Sequence, residues 1–105
     1  MTIEKRQKIR KSVDTATPVL NLHSGEHFGY LVNITKKGFM LSSDFLINPN
    51  CIYQVTINIQ QDNFTLEVGA ESLWSESSLE QGLFWTGFRI IDISKANQQS
   101  LEAYA

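Results

Sequence analysis

Two arginines stand four residues apart near the start of the chain, in Arg6-Gln7-Lys8-Ile9-Arg10. A guanidinium is a planar fork of N–H donors with a permanent charge. It grips a phosphate through two hydrogen bonds, stacks on a purine, or bonds the O6/N7 edge of guanine. Two of them on one segment can take a phosphate and a base together. A second segment with similar capacity is Asn33-Ile34-Thr35-Lys36-Lys37-Gly38. Asn33 can donate and accept at a base edge or a sugar, and the Thr35 hydroxyl can bond a phosphate. Gly38 permits positive φ and lets the chain pass close to a ligand. Lys36 and Lys37 add charge to the same turn. Taken singly, each segment also has an ordinary reading, as a solvated basic tail and as a plain hairpin turn.

Other candidates for chemistry are weaker. His23 and His27 are four apart, a spacing that binds metal on a helix, but Ser24-Gly25-Glu26 between them reads as a turn. No metal site is expected. Cys51 is the single cysteine and has no histidine near it in sequence, so it reads as a small core or loop residue. The carboxylates are dispersed, and no G-x-S-x-G, H-E-x-x-H or P-loop pattern occurs. The chain is therefore expected to be no enzyme and to use no cofactor.

Charge is unevenly placed. The formal net charge is −2, yet five of the nine basic residues are Lys5, Arg6, Lys8, Arg10 and Lys11, and two more are Lys36 and Lys37. An acidic body with two local basic clusters argues against a general nucleic-acid binder and for a compact anion site, if the fold joins the clusters. With 105 residues, 42% of them hydrophobic, the chain fits one soluble domain. No apolar run is long enough to span a bilayer, and no apolar stretch follows the basic start. The expected setting is the cytoplasm, without membrane insertion.

The elements that must position these residues are mostly strands. Residues 1–12 read as a flexible basic arm, and residues 13–105 as the folded domain. Val13 to Leu22 is a candidate strand in which Pro18 marks an edge or a bulge. Gly29 to Asn33 and Gly38 to Ser42 flank the lysine turn. Tyr53, Val55, Ile57 and Ile59 alternate with Gln54, Thr56 and Asn58. After a polar connection at 60–63, Phe64, Leu66, Val68, Ala70 and Trp74 share the next face. Ser75 to Gly82 reads as a loop, and Phe84 to Ile91 as a last strand with Phe84, Phe88 and Ile90 on one face. Ser94 can cap a short helix reaching Tyr104, with Ile93, Asn97, Leu101 and Tyr104 on one side. Six or so short strands and one helix suggest a closed antiparallel barrel.

R-x-x-x-R followed by Asp/Asn-x-Ser/Thr-x-x-Gly resembles the cyclic di-GMP signature of PilZ domains. The matching residues are Arg6 and Arg10, then Asn33, Thr35 and Gly38. Glu71-Ser72-Leu73-Trp74 resembles the family's strand ending in tryptophan, and Trp85-Thr86-Gly87-Phe88 its late strand. The resemblance runs from about Glu4 almost to the end. It implies a six-stranded antiparallel β-barrel of the split kind with a short C-terminal α-helix. It also implies cyclic di-GMP as ligand, with the arm folding over it beside the turn. On this analogy Arg6 and Arg10 hold phosphates and guanines, Asn33 and Thr35 orient a guanine and the nucleotide backbone, and Gly38 shapes the turn. Lys5 occupies the position that influences whether one ligand or a stacked pair binds, so a monomer or a ligand-linked dimer is expected. Thr35 stands where serine is usual; the hydroxyl is kept and a methyl added, which the turn should tolerate. The implied role is a receptor or adaptor that relays the signal to an output protein. The alternative is a PilZ-like protein-interaction module that does not bind nucleotide.

Overall fold

The structure, a computed structural model, describes residues 11–12, 17–59, 64–78 and 82–104. Its elements are β1 (Lys11–Ser12), β2 (Pro18–Asn21), β3 (His27–Ile34), β4 (Gly38–Ser43), β5 (Ile52–Ile59), β6 (Phe64–Ser77), β7 (Phe84–Ile93) and α1 (Lys95–Tyr104). Six strands close into a ring in the order β2-β5-β6-β7-β4-β3, with β3 returning to β2 and every pairing antiparallel. Closure leaves the ring no free edge. The expected barrel and terminal helix are present.

The two alternating segments meet in register. Val55 pairs with Val68 and Ile57 with Leu66, so their apolar faces turn to the same interior. Val19, Ile34, Leu41, Val55, Ile57, Leu66 and Ala70 are fully buried there. The register slips between Val19 and Leu20, one residue beyond Pro18, where the chain bends to reach both β3 and β5. Of the expected first strand, Pro18–Asn21 is strand, while 13–16 lie outside the described residues. Of the expected arm, 1–10 lie outside them too, and Lys11–Ser12 form β1. Lys11 pairs with Ile34 and Ser12 with Asn33, beside the far end of β3.

Two expectations are corrected in β6. The strand runs on to Ser77, so the loop expected from Ser75 is in part strand. Trp74 does not share the inward face of Phe64, Leu66, Val68 and Ala70. Ser72 pairs with Phe88 and Trp74 with Gly87, so Leu73 is an extra residue and the phase is shifted by a bulge. Beyond it Ser75 takes the inward place, its hydroxyl 2.7 Å from that of buried Thr86, and Trp74 is turned to the outside, 39% exposed.

Helix α1 closes over β6. Leu101 and Tyr104 are buried, and the Tyr104 ring meets Phe64 edge-on at 5.6 Å. The backbone N–H of Asn97 donates to Ser94 Oγ at 3.1 Å, the expected cap. Ser94→Ala should lower stability by about 1 kcal/mol, read as a lower denaturant midpoint, while Ser94→Gly should cost only about a few tenths.

Candidate functional site

The turn between β3 and β4 is organised by one hydroxyl. Thr35 Oγ1 accepts from the backbone N–H groups of Lys37 and Gly38, each at 3.1 Å. It also approaches the Gly38 carbonyl at 3.3 Å, and the Thr35 N–H donates to that carbonyl at 2.8 Å. A threonine side chain here replaces backbone partners that a tight turn leaves unmet. Its oxygen is thus occupied in shaping the turn, a role the sequence did not disclose. Thr35→Val should cost about 1–2 kcal/mol by leaving two N–H groups without that acceptor, and Thr35→Ser much less. Comparison of the two melting temperatures checks this.

Gly38 serves a different need from the positive φ expected of it. Among the described residues, the glycines with positive φ are Gly25 and Gly82. Gly38 pairs with Arg89, and a Cβ on it would overlap the carbonyl oxygen of Phe88. The glycine lets β4 start against β7. The Ile90 N–H donates to the Lys37 carbonyl at 2.8 Å and ties the turn to the same strand.

Between this turn and the β6–β7 pair lies an open groove of about 240 Å³, lined by Thr35, Lys37, Met40, Leu73, Trp74 and Arg89, among others. The Trp74 indole lies over Gly87, where any side chain would collide with it. Arg89 and Glu71, partners across β6 and β7, form an ion pair with Nη2–Oε1 2.6 Å. The groove therefore offers an aromatic face, two cationic side chains and a carboxylate at its edge. A second hollow of about 330 Å³, lined by His27, Tyr30, Ser42, Asp44 and Leu83 among others, carries a carboxylate and neither lysine nor arginine. An anion is better matched by the first.

Of the residues singled out by sequence, Thr35 and Gly38 line the groove, and Lys36 is exposed on the turn. Asn33 is half-buried on β3, opposite Ser12 on one edge and Met40 on the other. Lys5, Arg6 and Arg10 lie outside the described residues. Trp74 and Arg89 were not singled out. The signal for Arg89 was its alternation with Phe88 and Ile90, which turns it outward, but only the register with Gly38 and Glu71 puts it at the groove. Cys51 Sγ contacts the Pro49 carbonyl at 3.6 Å. It stands beside Tyr53, whose phenol pKa is pushed up first by burial and then by a hydrogen bond and charge from Cys51.

The model of the PilZ domain matches residues 4–105. The chain belongs to the PilZ domain family. Solved structures with the same fold include the inhibitor of motility MotI/DgrA from Bacillus subtilis, 16% identical with a TM-score of 0.73 over 91% of this chain and 46% of that one. YcgR from Escherichia coli in complex with c-di-GMP is 13% identical, TM-score 0.74, over 91% of this chain and 42% of YcgR. The PilZ domain of YcgR with c-di-GMP is 12% identical, TM-score 0.69, over 91% of this chain and 85% of that domain. At these identities the likeness is one of fold. This PilZ chain spans less than half the length of MotI/DgrA and of YcgR as solved in the longer structure. No curated protein matches it significantly in sequence. Among the described residues, no helix is long and apolar enough to cross a membrane.

Proposed function

We propose that this PilZ chain is a cytoplasmic receptor for cyclic di-GMP, binding it between the Arg6/Arg10 segment and the Asn33–Gly38 turn and relaying the signal to a partner protein. The observation that carries the reading is the pairing of β1 with the end of β3. Lys11, which follows Arg10 directly in the chain, is held opposite Ile34, one residue before Thr35. The end of β3 that leads into the lysine turn is thereby the end at which β1 pairs.

The ligand is a dianion with two guanines. Arg6 and Arg10 supply forked donors for phosphate and for the guanine O6/N7 edge. Lys37 and Arg89 add positive charge at the groove, and the Trp74 indole offers a face on which a base can stack, worth about 1–3 kcal/mol. Thr35 acts by holding the turn in shape, and Asn33 faces the arm's strand. The set is one of hydrogen-bond donors, positive charge and an aromatic face, which suits recognition of the dinucleotide. Lys5 precedes Arg6, and one ligand or a stacked pair fits the reading.

Calorimetric titration tests it. Cyclic di-GMP should bind at micromolar concentration or below. Cyclic di-AMP, with the same charge but no O6 acceptor, should bind at least about 5-fold more weakly, the loss of roughly 1–3 kcal/mol from one bidentate contact. Equal binding of both would remove the guanine reading, and no heat with either would remove the receptor reading.

A further inference from the structure

The Glu71–Arg89 ion pair joins two cross-strand neighbours of β6 and β7. Both residues face outward, Arg89 with 60% of its side chain exposed and Glu71 with 28%. Exposed pairs of this kind contribute little to stability. Its place is more informative than its strength. Arg89 is the register partner of Gly38 on one side and of Glu71 on the other. One guanidinium therefore reaches between the turn of the proposed site and a carboxylate on the neighbouring strand. It lines the same groove as Lys37 and Trp74.

We propose that Arg89 is a third ligand-holding guanidinium and that Glu71 competes with the ligand for it. The inference rests on the cyclic di-GMP reading above. In the free protein Arg89 is engaged by Glu71. A phosphodiester entering the groove offers the same forked acceptor geometry and the same single charge, on a ligand that makes further contacts in the groove, and Arg89 turns from the carboxylate to the phosphate. Glu71 is left in water, where salt screens it. The exchange sets a threshold: anions that fit the groove poorly fail to displace Glu71, while a dianion with further contacts along Lys37 and Trp74 succeeds. Glu71 is thus an affinity-setting residue, and it acts through Arg89.

The test is a set of calorimetric titrations with cyclic di-GMP at physiological ionic strength on the intact chain, Arg89→Ala, Glu71→Gln and the double variant. Arg89→Ala should weaken binding about 10-fold, the loss of one charge-assisted contact. Glu71→Gln should tighten it about threefold or more, by removing the negative charge that competes with the phosphate. In the Arg89→Ala background the Glu71→Gln change should alter affinity by less than about twofold, since no guanidinium remains to release. Melting temperatures close to that of the intact chain establish that each variant is folded. If the intact chain binds and both single variants bind equally well, the inference is overturned while the receptor reading stands. Weaker binding by Glu71→Gln overturns it too, because Glu71 then positions Arg89 and does not compete for it. No binding by the intact chain overturns both readings together.

Discussion

Replacing Arg6 and Arg10 together by alanine should abolish cyclic di-GMP binding and leave the melting temperature almost unchanged. The first half follows from the chemistry. A hydrogen bond to a charged group contributes about 1.5–3 kcal/mol, and each guanidinium can make two. Ordering the arm costs about 1–2 kcal/mol for each residue fixed, which offsets part of that gain. A net loss of about 3 kcal/mol or more corresponds to a weakening of at least roughly 100-fold. The second half follows from topology. All six ring strands begin at or after Pro18, so the barrel closes without either arginine. Double Arg→Lys replacement retains the charge but loses the fork, and should recover only part of the affinity. Calorimetry and a thermal melt on the same samples separate the two effects. Binding that survives in the alanine variant would move the site away from the arm.

The second large effect is expected at Gly38. Valine there brings a branched Cβ into the Phe88 carbonyl, and both residues lie in strands that are paired in the barrel. Relief requires β4 and β7 to part at the start of their ladder. Overpacking of this kind costs about 1–3 kcal/mol, and for a domain of this size that lowers the melting temperature by about 4–8 °C per kcal/mol. The same displacement moves the Lys37 carbonyl from the Ile90 N–H and opens the groove between Thr35 and Arg89. Gly38→Val should therefore lose stability and ligand affinity together, unlike the arginine variant, which loses affinity alone. Parallel melting and titration of the two variants checks the contrast.

Much of this architecture was legible in the residue pattern, and the exceptions have identifiable causes. Val55, Ile57 and Ile59 faced Leu66 and Val68 as their alternation implied, because a half-buried strand must repeat every two residues. Pro18 marked the irregular strand, and Ser94 the start of the helix. The position of Trp74 could not be read that way. One additional residue, Leu73, reverses the phase of β6, and no local composition announces a bulge. At the site, the motif residues were visible but some of their duties were not. The Thr35 hydroxyl is occupied by N–H groups two and three residues on, which depends on the closed geometry of the turn. The reason for glycine at 38 lies fifty residues away, at Phe88. Arg89 and Glu71 became a pair only through the register of β6 with β7. Such contacts between distant parts of the chain are set by tertiary pairing, which a period or a motif does not encode.

On the proposed reading, cyclic di-GMP binds at the β3–β4 turn, close to where β1 pairs with β3. The most direct measurement is a titration of the isotope-labelled chain with cyclic di-GMP, followed by amide and indole N–H chemical shifts. Saturable changes should be concentrated at Lys11–Ser12, Asn33–Gly38, Gly87–Arg89 and the Trp74 indole, with the hollow around His27, Asp44 and Leu83 unaffected. Saturable changes centred on that second hollow, or an unaltered spectrum at high ligand concentration, would contradict it.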